Sequence, residues 1–153
     1  MYELLLAVHS LFRWLVLAAG LAALARALAG ARRRGPWTNA DDKAGLWFVA
    51  ATDLQFLLGL LLYAVMSPIT RLAFQDFGSA MGNSVLRFWA VEHAFGMLVA
   101  VALVHIGRAR AKKAPEAKRH RLAAIFFGIA LIAMVLTIPW PGMPAARPLL
   151  RGF

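Results

Sequence analysis

The fold class this sequence predicts is all-α, an integral membrane four-helix bundle, and three observations predict it. The 153 residues are 61% hydrophobic with a mean hydropathy of +0.67. Twelve of the seventeen Lys and Arg residues fall in two short stretches, 26–43 and 108–121. Those stretches separate long apolar runs, which is the pattern of a multi-span protein whose basic loops stay on the cytoplasmic side.

A helix needs roughly 20 apolar residues to cross a hydrocarbon core about 30 Å thick. Four segments qualify, at about 4–28, 46–66, 88–107 and 122–138. With both basic loops inside, the N and C termini and the loop 67–87 lie outside. The first segment could be taken for a signal peptide, but only Glu3 precedes it and Arg32, Arg33 and Arg34 follow it. A signal peptide carries its positive charge first, so retention as a spanning helix is expected. In the next connection Thr38 or Asn39 can cap the second helix, with Asp41 and Asp42 near its positive dipole end. The loop 67–87 is long enough to fold over the bundle mouth, and its Phe74 and Phe77 could lie on the membrane surface as a short amphipathic turn. Pro139-Trp140-Pro141-Gly142 ends the fourth helix. Small residues at Ala18, Ala22, Gly59, Gly96, Ala100, Ala124 and Gly128 let helices approach. The expectation is one multi-pass transmembrane domain over 1–153, with the lipid bilayer as its first partner and homo-oligomer formation left open.

Composition also excludes functions. The net charge of +10 is topological, so no nucleic acid partner is expected, and soluble hydrolase or nuclease readings fail on hydropathy. The absence of Cys removes disulfides, iron–sulfur clusters, thiol catalysis and covalent c-type haem. No nucleophile with a base, no paired carboxylates and no phosphate loop is present.

Ionisable side chains inside spans are costly, so they mark candidate sites. His9 lies six residues in from Glu3 and His93 six in from Arg87, so both sit about 9 Å below the outer edge. Two level imidazoles on different helices are what a b-type haem needs as metal ligands. Arg87 or Arg71 could then meet the propionates, and Phe12, Phe88 or Phe95 could pack on the macrocycle. The plainer alternative is a hydrogen bond from His9 to Glu92. His105 is expected to bond a backbone carbonyl or water in the inner leaflet, and His120 to be a solvated loop residue. Nearer the middle, Arg13 is expected to pair with Asp53, forming a buried polar network with Gln55 and Glu92.

The segments His9-Ser10-Leu11-Phe12-Arg13-Trp14, Trp37-Thr38-Asn39-Ala40-Asp41-Asp42-Lys43, Leu54-Gln55 with Gly59 and Tyr63, Arg87-Phe88-Trp89-Ala90-Val91-Glu92-His93, Ile106-Gly107-Arg108 and Ile138-Pro139-Trp140-Pro141 carry a resemblance over nearly the whole length. The chain resembles small four-span membrane proteins of Bacteroidota-type bacteria that are labelled cytochrome-b-like. Such proteins can carry His-Leu-Gln where this chain has Asp53-Leu54-Gln55. That departure implies no ligand at position 53 and leaves His9 and His93 as the pair. The expected function is a small electron-carrying subunit with one haem b, exchanging electrons with quinone or a membrane redox complex. The alternatives are a haem-free accessory or scaffold subunit of a larger complex and a proton-coupled carrier built on Arg13, Asp53, Glu92 and His9.

Overall fold

All four apolar segments form long helices, and each begins before the residue hydropathy alone suggests. The computed structural model describes residues 1–150. In chain order the elements are α1 (Tyr2–Arg33), α2 (Asn39–Leu61) continued by a π turn (Leu62–Met66), α3 (Pro68–Gln75), α4 (Phe77–Gly82), α5 (Ser84–Arg87) continued by a second π turn (Phe88–Glu92), α6 (His93–Lys113) and α7 (Glu116–Thr137). There is no β-strand among the described residues. Four continuous helical stretches, Tyr2–Arg33, Asn39–Met66, Ser84–Lys113 and Glu116–Thr137, are long and apolar enough to cross a membrane. This is the architecture of a multi-pass membrane protein.

The stretches pack as a square. α1 packs against α2 and α7, and α6 packs against the same two helices. α1 and α6 therefore face each other across the diagonal. Short connections join the helices at the end that carries the basic loops, called here the basic end; the loop between the second and third stretches lies at the far end.

At the basic end, Thr38 caps α2: its hydroxyl accepts from the Asp41 N–H while the Asp41 carboxylate accepts from the Thr38 N–H at 2.8 Å. Such reciprocal caps satisfy orphan donors of the first turn. The same carboxylate pairs with Arg26 at 2.9 Å, tying α1 to α2. Arg108 reaches from α6 to the Asp42 carbonyl at 2.7 Å and its carboxylate at 3.2 Å. His120 is not the solvated loop residue that the sequence suggests. It lies inside α7, is 5% exposed, sits 3.4 Å from Asp41 and packs its ring 4.9 Å from that of Trp37.

The core of the basic half is built from small side chains around one aromatic pair. Ala23, Ala27, Ala51, Ala100, Ala111, Ala123 and Ala130 are buried around Phe48 and Phe127, whose rings meet edge to face at 5.4 Å. Lipid tails are as apolar as Leu, so helices gain by fitting closely rather than by escaping water. At Gly107 a Cβ would lie 2.4 Å from the Phe126 Cβ, so only glycine allows α6 and α7 this approach.

At the far end three short helices are each started by a polar cap: Ser67 for α3, Asp76 for α4 and Asn83 for α5. Phe74 and Phe77 are exposed and their rings stack at 6.0 Å. After α7, residues 138–150 fold back along the bundle, with the Arg147 N–H donating to the Pro139 carbonyl at 3.1 Å. The far-end mouth is thus bordered by this tail as well as by the loop expected to cover it.

Two outcomes are expected. Gly107→Ala should destabilise the protein by about 1–3 kcal/mol through overpacking, measured as a lower thermal midpoint in detergent, whereas Gly82→Ala, which meets nothing within 4 Å, should not. The Ser79 hydroxyl and N–H hold the Asp76 carboxyl below its usual range. A carboxyl depressed in the fold stabilises it above its unfolded pKa near 4 and loses that contribution as pH falls through the folded value. Amide exchange at Ser79 should therefore accelerate on acidification relative to Val85, whose cap Asn83 does not titrate.

Candidate functional site

The two π turns face each other at the far end. A π turn is wider than an α turn and leaves carbonyls without their usual partners, and such turns recur at functional sites. Here side chains take up the freed groups. The Tyr63 hydroxyl, from one π turn, donates to the Ala90 carbonyl of the other at 2.7 Å, and the Thr70 hydroxyl donates to the Tyr63 carbonyl at 2.8 Å. The Arg71 guanidinium donates to the Val65 carbonyl. Arg87 donates to Glu92 at 2.7 Å and to the Met81 carbonyl at 3.0 Å. Arg71 and Arg87 are therefore committed to closing this end of the fold and do not line the cavity below it, contrary to the role expected for them.

His93 stands at the first position of α6, directly after its π turn. Its Nδ1 lies 2.8 Å from the Thr137 carbonyl. A carbonyl only accepts, so the proton is on Nδ1 and Nε2 carries the free lone pair. Thr137 ends α7, where carbonyls have no helical partner. Gly96, one turn along α6, makes the contact possible: a Cβ there would stand 2.2 Å from the Thr137 Cγ2.

Across the diagonal, His9 of α1 leans on Gly59 of α2, where an added Cβ would come within 3.0 Å of the ring. The Gln55 amide donates to the His9 carbonyl at 3.0 Å and lies 3.4 Å from the His9 Nε2. The alternative bond from His9 to Glu92 does not form; Glu92 turns to Arg87 instead. The two imidazole rings are 6.5 Å apart between centroids, with their planes at 75°. Trp89 and Phe88 flank His93 at 5.4 and 5.9 Å.

Both histidines line a cavity of about 400 Å³ with mainly apolar walls between α1, α2 and α6. Three buried side-chain atoms among the described residues have no hydrogen-bond partner: His9 Nδ1, Arg13 Nε and Gln55 Oε1. All three residues line this cavity. Buried polar groups are rarely left unpaired, and a cluster of them asks for an absent partner. Two cations also line it, Arg13 and Arg147. Arg13 donates to the Leu149 carbonyl at 2.8 Å, and the Arg147 guanidinium lies 5.1 Å from the Trp89 ring centroid.

The expected network of Arg13, Asp53, Gln55 and Glu92 does not form. Arg13 and Gln55 meet the cavity, but Asp53 bonds the His105 Nε2 at 2.7 Å on the outside of the bundle, and the Glu92 side chain is 46% exposed beside Arg87. His105 thus holds a carboxylate in place of the expected carbonyl or water. The reason lies in side-chain direction. Helical side chains lean toward their own N terminus, so Arg13 on α1 leans to the far end and Asp53, on an antiparallel helix, leans to the basic end.

The donor set has a definite chemistry. A metal bound by one nitrogen from each ring at about 2 Å sets the centroids roughly 6 Å apart, close to the observed spacing. No group of three or more His, Cys, Asp or Glu that could hold a bare ion exists among the described residues. Two imidazoles suit a metal whose other ligands come from a macrocycle. Thr137 and Arg147 escaped the sequence reading, and Trp89 entered it only as part of the segment 87–93, with no role of its own. Thr137 acts through a backbone oxygen that any residue has, and the path of the tail bearing Arg147 has no signature in sequence; of the small residues noted on α6 and α7, Gly96 is the one that lies against Thr137. Comparison with family models, curated proteins and solved structures finds no match, so the site is read from its own geometry.

Proposed function

We propose that this protein is a small b-type cytochrome of a bacterial inner membrane, with one haem b held by His9 and His93. The observation that carries the reading is the pair of imidazoles 6.5 Å apart across the diagonal of the bundle. A bound haem would supply reversible one-electron transfer at its iron.

The chain's own groups have separable parts in this reading. The Thr137 carbonyl fixes the His93 ring and its tautomer and raises the basicity of Nε2, as an acceptor behind a ligating imidazole does. Gly59 leaves room for the His9 ring. Arg13 and Arg147 bring positive charge to the cavity for carboxylates, the task first expected of Arg71 and Arg87. Trp89, Phe95 and the aliphatic lining keep water from the buried polar atoms. The cavity reaches exposed Leu60, Phe95 and Leu98 between α2 and α6, an apolar opening suited to electron exchange with a lipid-soluble quinone. The positive-inside rule puts the basic loops in the cytoplasm, and hence this site near the outer face with both termini outside. The carrier reading loses its support, because Arg13 and His9 are separated from Asp53 and Glu92.

Purified from cells supplied with haem, the protein should show sharp α and Soret bands on reduction, and His9→Ala or His93→Ala should abolish them. A colourless, well-folded protein would sink the proposal in favour of a haem-free accessory subunit. Gly96→Ala should push Thr137 away from His93 and weaken haem retention by about tenfold or more, read as the rate of haem transfer to an apo-acceptor. Asp53→Asn should leave the spectrum unchanged, since Asp53 touches neither Arg13 nor the cavity.

A further inference from the structure

Asp53 and His105 bond each other on the face shared by α2 and α6, with side chains still 44% and 49% exposed. Both lie within apolar spans, His105 one turn from Arg108. Ionisable groups at such depth almost always face a bundle interior or a watery cavity, because lipid tails offer no hydrogen bonds. This pair faces outward. Its remaining capacity, the second nitrogen of His105 and the second oxygen of Asp53, is unmet by any hydrogen bond among the described residues.

We propose that the α2–α6 face is the two-fold interface of a homodimer, in which Asp53 of each copy meets His105 of the other. The patch carries its own complement. A two-fold rotation sets residue i of one copy against residue j of the other and the reverse, so a donor and an acceptor side by side become two matched pairs. A partner of one charge sign would satisfy only half of the patch. The surroundings permit the approach: exposed Ala50 and Ala102 lie one turn from Asp53 and His105, and Ala109 lies one turn beyond His105. Exposed Leu46 and Leu57 border them, on the basic-end side of the cavity opening. Small residues beside interhelical hydrogen bonds are how membrane helices associate. The dimer does not depend on haem, since neither Asp53 nor His105 lines the cavity.

The chain has no cysteine, so single introduced thiols report proximity cleanly. In membranes of the expression host, Ala102→Cys should give a disulfide-linked dimer under mild oxidation. Leu136→Cys, on the exposed face of α7 at 71% exposure, should not. In single-molecule photobleaching of the labelled protein in bilayers, Asp53→Leu should weaken the dimer at least about tenfold, because it removes both interhelical hydrogen bonds. The exchanged pair Asp53→His with His105→Asp should restore it. Absence of the Ala102→Cys dimer, equal cross-linking from Leu136→Cys, a cross-link to a different chain, or an undiminished dimer in Asp53→Leu would each overturn the proposal. The Ala102→Cys result stands even if Asp53→Leu fails to fold, because it leaves the polar pair intact.

Discussion

Inside a bilayer no water can satisfy a stray N–H or C=O, and most of this structure follows from meeting that demand within the chain. Two π turns free carbonyls at the far end, and Tyr63, Thr70 and Arg71 each take one up. The end of α7 frees another, and His93 takes it. The tail supplies the Leu149 carbonyl to both Arg13 and Trp14. What remains is informative because so much is satisfied. The three buried side-chain atoms left over among the described residues belong to His9, Arg13 and Gln55, all on one cavity.

The same demand separates the two polar pairs that sequence reasoning merged. Arg13 and Asp53 stand at neighbouring depths when residues are counted from the far end, but depth is only one of three coordinates. Helix direction sets the lean of a side chain, and helix rotation sets its face. Arg13 and Asp53 lean to opposite ends, and Asp53 opens onto the surface where His105 of α6 leans toward it. A bond across lipid-facing helices thereby replaces one through the core. It leaves a polar patch on the outside of an apolar molecule, which is the physical ground for expecting a second copy there.

Legibility differed between the ends of the bundle. At the basic end Thr38, Asp41 and Asp42 were readable as a cap and a first acidic turn, because capping depends on residues three or four apart. The burial of His120 was not, since its partners Trp37 and Asp41 come from a distant connection. At the far end the equal depth of His9 and His93 was readable from helical rise alone. Their meeting was not, because the π turn before His93 changes the rotation of everything that follows and regular periodicity gives no warning of it.

By itself the sequence determined how many long apolar helices there are, where along the chain each one lies and which loops carry charge, because hydropathy and charge act residue by residue along the chain. It also put His9 and His93 the same number of residues in from the far end, and the two rings do come together there. Only the tertiary structure decided that α1 and α6 lie across the diagonal, that the Thr137 and Leu149 carbonyls serve His93 and Arg13, and that Asp53 turns outward. Those outcomes depend on rotation about helix axes and on backbone atoms common to every residue, and neither leaves a mark in a one-dimensional string.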